Sequence, residues 1–338
     1  MFRKVVIGLT LAAAGVLAAP LAARTAPDDV RLGTLAPENS PWTNALRSMG
    51  ATWSKATTGR VVLKVHAGTW ASEKSIISRM SLGGIEAATL MVAGLGEIDP
   101  AFNVFAIPFF FESDAELEHV QQKLMPMLAQ KVEAKKYRLL GFGNGGWVRL
   151  FSKMPIRTLD ELKAAKLYTT EGDSKSKDWY TSNGFNVVEL ATPQIKPQLM
   201  SPVGAINATP SPPAFAVALQ FYKDAPYMLD VRLGPLTGAT VITERAWAKI
   251  SAEDREQVLA GAAAMGKTVN AAAPGLDTKS IEEMKKAGLK AVTLTAAELQ
   301  NFLTTAEKLT NTQRGRLVPA DVFDAAVRER DAYRKTKR

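Results

Sequence analysis

The sequence predicts an α/β fold of clamshell form: two sheet-and-helix lobes joined by crossing strands and a long helix. Three observations predict it. Residues 30–94 alternate strand, helix, strand, helix, strand, the order of a parallel sheet covered by helices. A second alternation of helix and strand follows from about residue 158. Between and after the two runs lie β-rich stretches, YRLLGFGNGGWVRLFSK (137–153) and GATVITERAW (238–247), that can pass from lobe to lobe, followed by a helical region from Ser251 to about Lys286. The expected division is lobe I over 27–148 with a strand near 236–250, lobe II over 149–235, and helices from 251 packing across both.

Each element has its own signal. VRLGTLAP is a strand that runs into a loop at Pro37. Ser40-Pro41 reads as an N-cap and first helical position, and Trp42, Ala45, Leu46, Met49 and Trp53 follow at helical spacing. RVVLKVHAG alternates as a strand. A second helix begins near Ser72 and carries Ile76, Ile77 and Met80 before Gly83-Gly84 stops it. IEAATLMVAG is a short, almost wholly apolar strand, the kind covered on both faces. FNVFAIPFFFES is an apolar linker, and Ser113 with Glu116 forms a capping box for a helix through about Glu133.

The stretch from Tyr137 reads as strand, glycine-rich turn and second long strand. Thr158 and Glu161 cap the next helix, Lys166–Thr170 is a strand, Ser174–Asn183 a helix and GFNVVEL another strand. ATPSPPAF has the chemistry of a turn and cannot sit in a central strand. Thr295 and Glu298 cap a final helix. The basic tail RERDAYRKTKR is expected to fray.

The 338 residues are 46% hydrophobic, enough for two cored domains. Phe2-Arg3-Lys4, the apolar run Val5–Ala19 and the small residues before Arg24 form a signal peptide within 1–26, cleaved after Ala22 or Ala23. The absence of cysteine removes disulfides and thiolate sites and suits a periplasmic protein. The net charge of +9 is interleaved with acids rather than clustered with aromatics, which argues against a nucleic-acid partner. No nucleophile elbow, P-loop, H-E-x-x-H or EF-hand pattern is present, so no cofactor, metal or catalytic set is expected. His66, at a strand end, is the single candidate for a general base; His119 lies on a charged helix face.

Open α/β sheets bind ligands beyond the carboxyl ends of their strands. That places candidate contacts in the loops at 35–40, 66–70, 91–94, 145–147, 168–170 and 207–210, and singles out Met91.

From about Val30 to Ala264 the chain resembles the periplasmic substrate-binding proteins of TRAP transporters, the DctP-like group. VRLGTLAPENSPW, GRVVLKVHAG, SLGGIEAATLM, FNVFAIPFFFES, FSKMPIRTLDELKAAKL, QFYKDAPYML and VITERAWAKISAEDREQVL are similar to successive landmarks of that family. The resemblance implies a bilobed periplasmic-binding-protein fold that closes on a small organic acid and passes it to a small and a large membrane subunit. The chain itself is expected to be a monomer. It also implies an arginine on the strand after LDELKAA, bridging the ligand carboxylate through two bonds. Tyr168 stands there. Arg149 is near the place of a second family arginine, but the simplest alignment puts Val148 in it, and LMSPVGAI departs from the family's L-Q-T-G-x-x-D-G.

The departures share a pattern. Trp70, Trp147, Tyr168 and Phe215 fall near the predicted cleft, with Asn207 and Thr209 as neutral hydrogen-bonding groups. Trp147 and Tyr168 are also consistent with core or interdomain packing. Trp42, Trp53 and Trp247 read as helix-face core, and Trp179 as cover for a domain surface. Two ligand classes stay open: an atypical organic acid held by backbone amides, Arg149 and the Tyr168 hydroxyl, or a more neutral, apolar or aromatic compound. A secreted hydrolase using His66, and a sensor feeding a membrane receptor, are the alternatives in function.

Overall fold

The computed structural model describes residues 28–171 and 173–337; the signal peptide expected over 1–26 lies outside them. Lobe I begins β1 (Asp28–Thr34), α1 (Pro41–Ala56), β2 (Val61–Ala67), α2 (Glu73–Ser81), β3 (Ala87–Met91), α3 (Val92–Ile98), a 3-10 turn (Pro100–Ala106) and α4 (Asp114–Ala134). The strand β4 (Tyr137–Ser152) leads into lobe II, with α5 (Leu159–Ala164), β5 (Lys166–Thr170), α6 (Ser174–Ser182), β6 (Asn186–Leu190), α7 (Thr192–Met200), β7 (Ala208–Ser211), α8 (Pro213–Ala218) and α9 (Phe221–Asp224). Then β8 (Tyr227–Thr243) returns to lobe I, followed by α10 (Glu244–Trp247), α11 (Ala252–Lys286), β9 (Lys290–Val292), α12 (Ala296–Asn311) and α13 (Ala320–Lys335).

One sheet runs through both lobes in the order β2-β1-β3-β8-β4-β7, with β9 beside β8; β5 and β6 form a separate parallel pair. β1, β2 and β3 are parallel, whereas β8 lies antiparallel to β3 and to β4. β4 and β8, at 16 and 17 residues, each span about 50 Å at the usual strand rise, so their two ends belong to different lobes. Tyr137–Leu139 pairs with the end of β8 beside β3, while Arg149–Ser152 pairs with β7.

The core is divided by this sheet. One face of lobe I packs Leu90, Phe102, Phe105 and Leu117 with Val322 and Phe323 of α13. The other packs Val30, Leu46 and Trp53 against Val258 and Ala262 of α11. Further along, Met284 of α11 joins Phe151 and Leu199 in lobe II, so this 35-residue helix braces both lobes. Its Gly266 is needed where it crosses β4: a Cβ there would stand 2.3 Å from the Phe142 carbonyl oxygen.

Several expectations are corrected. FGNGGW is not a turn between two strands but a bulge within one, because β8 offers a partner along its whole length; the register shifts between Asn144 and Trp147. Gly146 sits at φ +98°, and a Cβ would come within 2.6 Å of Asp277 Oδ1. The strand expected over 85–94 ends at Met91 and continues as α3, whose first amides are taken by a buried carboxylate described below. The linker 102–113 begins within the 3-10 turn Pro100–Ala106, and the ERAW of GATVITERAW is the helix α10. The tail that was expected to fray is helical through Lys335: Arg334 bonds Glu116 at 2.8 Å and the Phe110 carbonyl at 3.1 Å, and Arg330 lies over the Phe110 ring.

Candidate ligand-binding cleft

Two adjoining cavities, of about 250 Å³ and about 380 Å³, lie where the carboxyl ends of β1 and β3 face lobe II. Both are walled in part by Met91, Tyr168, Pro210 and Leu236, so they form two chambers of one cleft.

The smaller chamber is built first by β1 and β3, which deliver Thr34 and Thr89 to its base, and by the loop Leu35–Pro37. Trp42 comes from the first turn of α1, where the Ser40 hydroxyl accepts from the Thr43 N–H at 3.3 Å and sets the helix entry. Across the cleft Phe215 comes from α8, begun by Pro212-Pro213. The two rings stack with centroids 4.0 Å apart at 24°. Trp42 is therefore half-buried at a contact between the lobes, not helix-face core. Its helical spacing was real, but a residue in the first turn also faces the strand ends beside it.

Glu73 is the charged side chain of this chamber. It is 3% exposed and accepts from the Met91 N–H at 2.6 Å and the Gly94 N–H at 2.7 Å. Burial pushes its carboxyl up to about 7, against the pull of those two amides. In sequence it looks like an ordinary first-turn acid after the N-cap Ser72; only the fold shows that it turns inward.

Tyr168 stands at the junction of the chambers. Its β5 neighbours Leu167 and Thr169 line only the larger one. Burial raises the phenol pKa, and the nearby Thr209 hydroxyl lowers it, so the ring presents a neutral O–H. Thr209 itself is fully buried and its Oγ1 makes no hydrogen bond of good geometry, so the contact is close rather than well directed.

The remaining candidates are placed elsewhere. Arg149 lines neither chamber; it is 8% exposed, 3.7 Å from Asp230, with Nε and Nη1 unbonded. Burial lowers its pKa, opposed by Asp230. Trp147 is core: its backbone N–H donates to Asp277 Oδ2, its indole to Asp114 Oδ1, and Arg232 lies over its ring. Trp70 bonds the His66 carbonyl and packs on lobe I. Asn207 staples strands, accepting from the Lys166 N–H at 2.8 Å. His66 is exposed, and His119 packs near Tyr333; neither lines a chamber.

The larger chamber is walled by Leu159, Leu162, Phe185 and Val187 of lobe II, by Phe109 after the 3-10 turn, and by Leu309 of α12. Trp179, expected as cover for a domain surface, is buried here with its indole bonded to Thr312. Among the described residues no Lys or Arg lines either chamber, and the charged ones that do are the acids Glu73 and Asp173. Among the described residues no cluster of three or more metal-ligating side chains occurs.

The family model for bacterial extracellular solute-binding proteins, family 7 (DctP), matches residues 32–314. The fold is similar to that of a TRAP periplasmic solute-binding protein from Ralstonia eutropha H16 with bound (S)-2-acetolactate, with a TM-score of 0.81, 19% identity and coverage of 91% of this chain and 100% of that one. It is similar also to one from Desulfovibrio salexigens with bound orotic acid, with a TM-score of 0.82, 17% identity and coverage of 90% and 99%. In sequence, a solute-binding protein from Chromohalobacter salexigens is 24% identical over 236 residues, 68% of this chain and 69% of that one.

Proposed function

We propose, from the premise that this chain belongs to the bacterial extracellular solute-binding proteins of family 7, that it captures an uncharged, mainly apolar or aromatic solute rather than a free carboxylate. The solute sits in the interlobe cleft and is released to the two membrane subunits of a TRAP-type transporter. The observation that carries the choice of solute is that, among the described residues, no cation lines either chamber.

Its similar structures hold acetolactate and orotic acid, both anionic at neutral pH. An anion in this cleft would lack a charge-assisted bond, worth about 1.5–3 kcal/mol. It would also approach Glu73, a carboxyl that offers an anion no positive partner. Two rings, the Tyr168 hydroxyl and the carboxyl of Glu73 instead supply apolar area and a few oriented polar groups, the make-up of a neutral-ligand pocket. In this reading Met91, Tyr168 and Phe215 touch the solute, joined by Trp42 and Glu73, with Thr209 behind the phenol. Arg149, Trp147, Trp70 and Asn207 hold the frame.

A thermal-shift screen of the mature protein tests this. Phenols, aromatic alcohols and amides should raise the melting temperature; a ligand at 100 times its Kd adds about 2.7 kcal/mol. A screen in which only carboxylates stabilise the protein would refute the proposal.

A further inference from the structure

We infer that the larger chamber is a second ligand subsite, taking an apolar tail of the same solute, so that the substrate class is an elongated amphiphile with a compact polar or aromatic head. This rests on the neutral-solute reading above and extends it.

The chamber is not a gap left by poor packing of one core. It is assembled from both lobes and from α12, with Phe109 from the first, Leu162, Leu167 and Val187 from the second, and Leu309 from the helix. Apolar walls that face open space forfeit the dispersion contacts and burial that an apolar occupant would supply. At about 380 Å³ it exceeds the smaller chamber. A molecule the size of orotic acid would occupy one chamber and leave the other unfilled.

Two further observations point to an occupant. Thr169 is 6% exposed, lines this chamber, and its Oγ1 has no hydrogen-bond partner. Such a buried hydroxyl is costly unless something supplies the bond. Phe109 is held at φ +60°, its N–H bonded to the Leu233 carbonyl at 2.6 Å and its ring against Phe302. An aromatic residue rarely adopts this left-handed conformation, and strain of this kind gathers at binding sites. Because Met91, Tyr168, Pro210 and Leu236 border both spaces, one molecule can lie past them with its head among Trp42, Phe215 and Glu73 and its tail toward Thr169.

Calorimetric titration with phenol and its para-propyl, para-pentyl and para-heptyl derivatives tests the inference by the slope of log Kd against chain length. The wild-type protein should gain about fourfold in affinity per methylene. Val187→Phe, which fills the chamber, should flatten that slope, and Ala306→Leu, on the α12 part of the lining, provides a second variant if the first fails to fold. A wild-type slope of zero with phenol still bound would overturn the second subsite alone. An undiminished slope in both folded variants would overturn its location. If no phenol binds while carboxylates do, the neutral-solute reading itself falls and takes this inference with it.

Discussion

Tyr168 puts a neutral hydroxyl at the junction of the two chambers, and its neighbours decide what that hydroxyl can do. Tyr168→Arg should restore binding of small carboxylates and weaken that of neutral aromatics, as measured by calorimetry. Glu73 gives the pH dependence. Its folded pKa of about 7 lies above the unfolded value, so its protonated form stabilises the fold fully below about pH 4 and that contribution is lost as pH rises through 7. The difference is roughly 3 kcal/mol at about 1.4 kcal/mol per unit. The difference in unfolding free energy between wild type and Glu73→Gln should therefore fall across this range, and an equal dependence in both proteins would contradict the burial argument. Thr169→Val should raise the stability of the ligand-free protein by about 1 kcal/mol, since it removes an unsatisfied hydroxyl. Of these residues only Tyr168 was conspicuous in the sequence, through its departure from a motif. Trp42 and Glu73 sit in the first turns of amphipathic helices, where the pattern does not separate a core-facing side chain from one that faces a cleft.

At the scale of elements, most helices were legible because their ends carry chemistry: Ser40, Ser113, Thr158, Ser251 and Thr295 each accept an amide at the start of a helix. Strand continuity was not legible. The glycines of FGNGGW resemble a turn until β8 is laid beside them, and a strand of 16 residues crossing two lobes has no local signature. The same bulge gives a sharp test. Gly146→Ala forces a left-handed side chain against Asp277 and should cost about 2 kcal/mol in chemical denaturation, whereas Gly275→Ala, with open space around it, should not destabilise. The terminal helix was missed for another reason. Its anchors, Glu112, Glu116 and Phe110, lie more than two hundred residues away in the chain.

At the scale of the whole molecule, β4, β8 and α11 are shared by both lobes, and the lobes meet again across the cleft at Trp42 and Phe215. Opening the clamshell must part that stack and bend the shared strands, the hinge motion of two-lobed binding proteins. Trp42→Ala should enlarge the ligand-free radius of gyration in X-ray scattering and weaken every ligand; an unchanged radius with unchanged affinity would remove the rings from the closing mechanism. The bilobed form could be read from the alternation of elements, but its contact across the cleft could not, because it joins residues 42 and 215 through tertiary packing alone. The central claim, that charge has been replaced by shape in this cleft, meets its most direct test in one calorimetric comparison at neutral pH of phenylpropanol with phenylpropanoate, which differ only in the head group. The alcohol should bind tighter by about tenfold, or ~1.4 kcal/mol; tighter binding of the acid would contradict the account.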